Sequence, residues 1–174
     1  MKKRYFLQAG AALVGTAALS RYLLLRTPQS SHAKDQGAAS GPVKGEFEIN
    51  KTAAEWRKEL TPAQFDVLRQ HHTERPFSSP LNKLYVSGTY SCAGCSLPLY
   101  SSKTKFDSGT GWPSFYAPLD NAVGTAVDKS LLMSRTEVHC RRCGGHLGHV
   151  FNDGPPPTGD RHCLNGVALS FAAA

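Results

Sequence analysis

The sequence predicts a mainly β domain of antiparallel strands, with short helices at its amino-terminal edge. Three observations carry that expectation. From Lys83 onward, β-branched and aromatic residues fall in short runs separated by glycine and proline. Ahead of them stand two helix-start patterns, Thr52-Ala-Ala-Glu55 and Thr61-Pro62-Ala-Gln64. Within the β-like part lie two CxxC pairs, Cys92-Ala-Gly-Cys95 and Cys140-Arg-Arg-Cys143, with 44 residues between Cys95 and Cys140. A chain of 174 residues has room for one domain with one core.

Residues 1–33 have the form of an export signal. Lys2-Lys3-Arg4 is a basic start, Leu7 to Ser20 is an uncharged run, and Ser31-His32-Ala33 offers a small-x-small cleavage site before Lys34. Lys3-Arg4-Tyr5-Phe6-Leu7 is similar to the twin-arginine export motif, with lysine in place of the first arginine. The expected destination is the bacterial periplasm. A membrane anchor is the weaker alternative, because Arg21 and Arg26 break up a stretch that would need about 20 apolar residues to span. Lys2, Lys3, Arg4, Arg21 and Arg26 also explain most of the formal net charge of +7, leaving +2 for the rest. That balance gives no reason to expect nucleic acid as a partner.

Residues 34–45, with Ser40-Gly41-Pro42, read as a flexible linker ahead of a domain over 46–174. The Thr52 capping box opens a short helix through Leu60. The second, with Pro62 at its first helical position, runs to about Gln70 and buries Phe65, Leu68 and Val67. Thr73 to Asn82, with two prolines, is expected to be an extended arm. Strands are expected over Leu84–Tyr90, Leu97–Tyr100, Ala122–Val127, Thr136–Cys140, His149–Phe151 and Cys163–Phe171.

Cys92, Cys95, Cys140 and Cys143 fit a structural zinc site, since each knuckle places two sulfurs on one side and glycines at 94, 144 and 145 let the backbone turn tightly. Two disulfides cross-pairing the knuckles remain the alternative in an exported protein. Four thiolates leave no open position, so such a metal would be structural.

The fifth cysteine, Cys163, has no partner left. On a strand, Arg161, Cys163 and Asn165 would share one face and continue through Val167, Leu169 and Phe171 into an apolar floor. That company suits a nucleophile, but an isolated cysteine is commonly a small core residue, and sequence physics leaves the two even. His146 and His149 supply nearby imidazoles able to move protons near neutral pH. Gly148 could bend the backbone to bring His146 round. Gly109-Thr-Gly-Trp112-Pro is a glycine-hinged turn that would hold an indole as a wall.

These motifs together resemble the B-type peptide methionine-R-sulfoxide reductases. The likeness runs from about Lys51 to Phe171 through Thr73-Glu-Arg-Pro-Phe77, Cys92-Ala-Gly-Cys95, Lys105-Phe-Asp-Ser-Gly-Thr-Gly-Trp-Pro-Ser-Phe115, His146-Leu-Gly-His-Val-Phe-Asn-Asp-Gly154 and Arg161-His-Cys-Leu-Asn165. It implies two antiparallel sheets in a tent-like arrangement, with zinc on the four paired cysteines. It implies that Cys163 attacks the sulfoxide sulfur, that His149 and His146 handle protons, and that Arg161 and Asn165 shape the pocket. Trp112 and Phe151 match the aromatic wall for the substrate methyl group. Substrates would be oxidised peptides and proteins, and the implied product is methionine plus a sulfenic acid on Cys163.

Two departures from the family pattern matter. Thr110 stands where many relatives carry a resolving cysteine, so a thioredoxin-like protein or small thiol is expected to recycle the enzyme directly. His162 stands where the family usually has tyrosine or phenylalanine, and should face away from Cys163. The short helices and modest charge are compatible with a monomer.

Overall fold

The computed structural model describes residues 47–130 and 133–174. The expected export signal over 1–33 and the expected linker over 34–45 lie outside them. Two helices, α1 (Ala53–Glu59) and α2 (Pro62–Gln70), lead the chain. Both open on complete capping boxes. The Thr52 hydroxyl accepts from Glu55 N at 3.3 Å while the Glu55 carboxylate accepts from Thr52 N at 2.7 Å, and Thr61 and Gln64 repeat this at 3.2 and 3.0 Å. Trp56 is the buried residue of α1; Phe65, Val67 and Leu68 are those of α2. No helix among the described residues is long and apolar enough to cross a membrane.

The segment after α2 has no regular structure as far as Arg75. It turns at Pro76-Phe77 and then forms a single 3-10 turn over Pro80–Lys83. That turn also shortens the first expected strand. Leu84 N bonds back to Leu81 O, Tyr85 and Val86 stay exposed, and β1 begins only at Gly88.

Among the described residues nine strands follow: β1 (Gly88–Cys92), β2 (Pro98–Ser101), β3 (Lys105–Phe106), β4 (Ser114–Phe115), β5 (Val123–Asp128), β6 (Arg135–Cys140), β7 (His146–Phe151), β8 (Arg161–Leu164) and β9 (Leu169–Ala173). They form two antiparallel sheets, in the orders β2-β1-β9 and β3-β4-β8-β7-β6-β5. The two-residue strands β3 and β4 are too short to carry a periodic signal and were not expected from sequence. Phe115 of β4 lies in the buried core, where Tyr90 and Tyr100 pack against its ring at 4.9 and 4.6 Å with Leu99, Val138, Leu147 and Leu164 around them.

One expectation is corrected. Cys163–Phe171 is not one strand. It divides into β8, a 3-10 turn over Gly166–Ala168, and β9, which pairs in the other sheet. The cause is a competing acceptor. The Glu74 carboxylate takes the backbone N–H groups of Gly166 and Val167, at 2.5 and 3.0 Å, so they are lost to a ladder. Val167, Leu169 and Phe171 therefore form no floor beneath Cys163. They line a separate cavity of about 620 Å³ beside α2 and the arm.

Candidate active site and four-cysteine cluster

Strand register gathers the reactive side chains. Directly opposed residues of antiparallel neighbours share a face. Cys163 of β8 is opposed by Ser114 of β4 and by His149 of β7, and His149 is opposed in turn by Glu137 of β6. Ser114, Cys163, His149 and Glu137 thus form a row across the six-stranded sheet. Residues two positions away repeat it, with Arg161 opposite Phe151. The other face, carrying Phe115, Val138 and Leu164, belongs to the core.

His146 would fall on the core face by simple alternation. A bulge prevents this: Val138 pairs with Gly148 but His139 pairs with His146, so Leu147 is an extra residue on β7. The insertion returns His146 to the reactive face, where its ring lies 5.4 Å from that of His149. Sequence reasoning placed the bend at Gly148. Glycine is needed there for close approach, because a Cβ would collide with the Cys163 carbonyl oxygen.

Cys163 is half-buried at a small cavity of about 130 Å³ lined in part by Trp112, His149, Phe151, Arg135 and Asn165. Burial pushes its thiol above the ordinary range, and contacts with Thr110, Arg161 and Ser114 offset that only in part. The Thr110 hydroxyl lies 3.9 Å from Sγ. His149 Nε2 bonds to Asp128 at 2.8 Å, and burial lowers the affinity of its ring for a proton despite that carboxylate. Burial would raise the Asp128 carboxyl, but hydrogen bonds from Ser130, His149 and Arg135 hold it below the carboxylate range.

Arg161 is locked by a bidentate pair to Asp153, both contacts at 2.8 Å, with its guanidinium 4.5 Å above the Phe151 ring. Trp112 comes from the turn where Gly109 and Gly111 take φ of 72° and 95°, and its indole donates to the Glu74 carbonyl at 3.1 Å. Asn165 is 3% exposed; its amide donates to Leu147 O at 3.1 Å and accepts from Glu74 N at 3.0 Å. Glu74 thus ties Trp112, Asn165 and the turn after β8 together. His162 faces the core as expected, 3.1 Å from the Tyr100 hydroxyl.

Sequence reasoning missed Asp128, Arg135, Glu137, Asp153 and the clamp role of Glu74. Glu137 carried a usable signal, as a carboxylate inside a run otherwise fit for burial. Asp128 and Arg135 carried none, since they meet His149 only through sheet register.

The four remaining cysteines converge from the β1–β2 and β6–β7 hairpins. Cys92 and Cys143 sulfurs lie 3.7 Å apart and those of Cys95 and Cys140 3.5 Å apart, with all four within 4.8 Å of one another. Disulfide sulfurs sit at about 2.05 Å, whereas a tetrahedral metal bonded to sulfur at about 2.3 Å spaces its ligands about 3.8 Å apart. The cysteines are free thiols and fit a metal. Gly94 N points at Cys92 Sγ at 3.4 Å and Arg69 at Cys143 Sγ at 3.6 Å, as negative sulfurs require.

Residues 60–173 match the SelR domain. The chain is 54% identical over 126 residues to the peptide methionine sulfoxide reductase MsrB of Leptospira interrogans, which covers 72% of this chain and 96% of that protein. It is 58% identical over 124 residues to the protein of the same name from Pseudomonas fluorescens, covering 71% and 95%. The corresponding protein of Methanosarcina barkeri is 55% identical over 124 residues, covering 71% and 87%. The matched domain span contains both the thiol pocket and the four-cysteine cluster.

Proposed function

Because the chain belongs to the SelR-domain family of B-type peptide methionine sulfoxide reductases, we propose that it reduces the R epimer of methionine sulfoxide in peptides and proteins with Cys163 as nucleophile. One observation supports this above the others. The single cysteine outside the sulfur cluster lines a small cavity together with two aromatic rings and a carboxylate-paired histidine.

Cys163 Sγ attacks the sulfoxide sulfur, the substrate S–O bond breaks, and the oxygen ends bonded to Sγ. The methionine sulfur gains two electrons and the cysteine sulfur loses two, so thiol plus sulfoxide becomes sulfenic acid plus thioether. Burial keeps the resting thiol protonated, so attack needs a base and the departing oxygen needs an acid. His149 stands directly opposite on the neighbouring strand to serve both needs. Trp112 and Phe151 receive the methyl group. With oxygen, methyl and chain each met by a different surface, one epimer fits.

Thr110 touches Sγ where a resolving cysteine could stand, and the other four thiols belong to the metal cluster. Recycling therefore falls to an external thiol or a thioredoxin-like reductant. Cys92, Cys95, Cys140 and Cys143 would hold zinc, which supplies a structural cross-link between two hairpins and no chemistry at Cys163. The chain acts as a monomer and is exported to the periplasm through its first 33 residues; fractionation and sizing of the protein made in a bacterial host check both.

A peptide carrying both sulfoxide epimers, incubated with dithiothreitol, tests the central claim. The R epimer should disappear and the S epimer persist; the reverse order overturns the assignment. Substrate without reductant should leave a sulfenic acid that dimedone traps, and an internal disulfide at Cys163 would exclude external recycling.

A further inference from the structure

We propose that His71, Glu137 and His146 form a second metal site, which takes up a borderline divalent ion such as zinc reversibly and shares no ligand with the four-cysteine cluster. Metal content reads it out rather than turnover, so it holds or fails independently of the reductase assignment above.

Three elements bring three donor atoms to one point. His71 ends α2, Glu137 lies on β6, and His146 lies on β7, where the inserted Leu147 returns it to the face of Glu137. Glu137 Oε1 is 2.7 Å from His146 Nδ1 and 3.2 Å from His71 Nδ1, and all three atoms lie within 4.8 Å of one another. Donors bonded to one ion at about 2.1 Å sit about 3.0 Å apart at right angles and about 3.4 Å apart in a tetrahedron. Both spacings to the carboxylate oxygen are within about 0.3 Å of the right-angled value, so small side-chain rotations suffice.

The donor set selects the class of ion. Calcium and magnesium prefer shells of oxygen, and copper(I) prefers sulfur. Two imidazoles and a carboxylate suit zinc, which binds that set in open sites with water completing the shell. The water side here is His71. Its side chain is 28% exposed, against 6% for Glu137 and 2% for His146. An ion enters past His71 and closes on the two buried ligands.

Uptake demands little rearrangement. A carboxylate only accepts, so in the free protein both rings turn an N–H toward Glu137. The ion takes the place of those two hydrogens, and each neutral ring keeps its proton by carrying it on Nε2 instead. His146 Nε2 is buried without a hydrogen-bond partner, so the change of tautomer breaks no bond there. His71 is fixed in place by the left-handed backbone, φ 59°, with which it ends α2.

Zinc-saturated parent protein and His71→Asn should be dialysed against micromolar free zinc and their metal counted by elemental analysis, with melting curves alongside. Asparagine removes the imidazole and tolerates the left-handed backbone. The parent should hold one more zinc per chain than the variant, and a chelator should strip that zinc before the thiolate-bound one. In NMR spectra of the parent, the ring signals of His71 and His146 should move as the extra zinc binds, while those of His72 and His162 stay. Glu137→Gln, studied below its melting temperature, should bind the extra zinc about tenfold more weakly or worse. Equal zinc in the parent and His71→Asn overturns the site, as does undiminished binding in Glu137→Gln. Uptake that moves the His72 ring and leaves His146 unmoved also overturns it, because that marks an ion held only at the surface.

Discussion

The five cysteines divide between two regions of opposite design. Four lie within 4.8 Å of one another, on hairpins from different sheets, with a backbone amide and an arginine pointing at the sulfurs. The fifth lies among hydroxyls, imidazoles and aromatic rings, with no sulfur partner and a thiol that burial keeps protonated. The same atom is structural where its neighbours are other thiols and their donors. In the function proposed above it is reactive where its neighbours can accept a proton and receive a substrate. Company decides the chemistry, because a thiolate needs stabilising charge and a nucleophile needs space.

That contrast can be broken by substitution. Cys163→Ser should lower turnover by about 10³-fold or more while metal content and melting temperature stay as in the parent protein, as elemental analysis and calorimetry would show. Cys140→Ser, or stripping the metal with a chelator, should do the reverse. The protein should lose more than about 4 kcal/mol and unfold, with loss of activity following unfolding rather than preceding it in a denaturant series.

Smaller changes sharpen the boundary between the regions. Glu74→Gln keeps the shape but presents a donor to one of the two N–H groups of Gly166 and Val167, which the carboxylate accepted together. It should cost about 1–3 kcal/mol and loosen Trp112, seen as a shift in indole fluorescence and a rise in KM larger than the fall in kcat. Acid should act through Glu137. Burial opposes its ionisation, but bonds from His146 and His71 bring its carboxyl down to about 2 from an ordinary 4.5. Its contribution is therefore complete above 4.5 and lost as pH falls toward 2. Melting curves of Glu137→Gln should lack that limb. The smallest effect belongs to His162→Phe, which leaves the Tyr100 hydroxyl unpartnered in the core. It should cost about 1–2 kcal/mol and leave kcat/KM within about twofold, because the residue faces away from Cys163.

Much of this was legible from sequence where the signal is local. Both capping boxes announced their helices, and paired CxxC knuckles announced the sulfur cluster. Alternation placed Arg161 with Cys163 and His149 with Phe151. The expectation failed beyond Asn165, where alternation was carried past the break at Gly166–Ala168. Nothing near Gly166 in sequence reports that Glu74, some 90 residues earlier, will take its N–H. His146 is the opposite case: alternation alone puts it on the wrong face, and the backbone irregularity that sequence reasoning placed at Gly148 is a bulge at Leu147.

By itself, the sequence determined the inventory: which residues can act, which family their order resembles, and that one thiol in five has no partner. Those properties depend on residue type and short spacing, which the chain carries before it folds. Only the tertiary structure decided which carboxylates meet which imidazoles. Asp128 reaches His149 across 21 residues and Glu137 joins His71 to His146 through strand register and one inserted residue. Hydrogen bonds between distant strands follow from how the sheet pairs, and pairing is settled by the whole core.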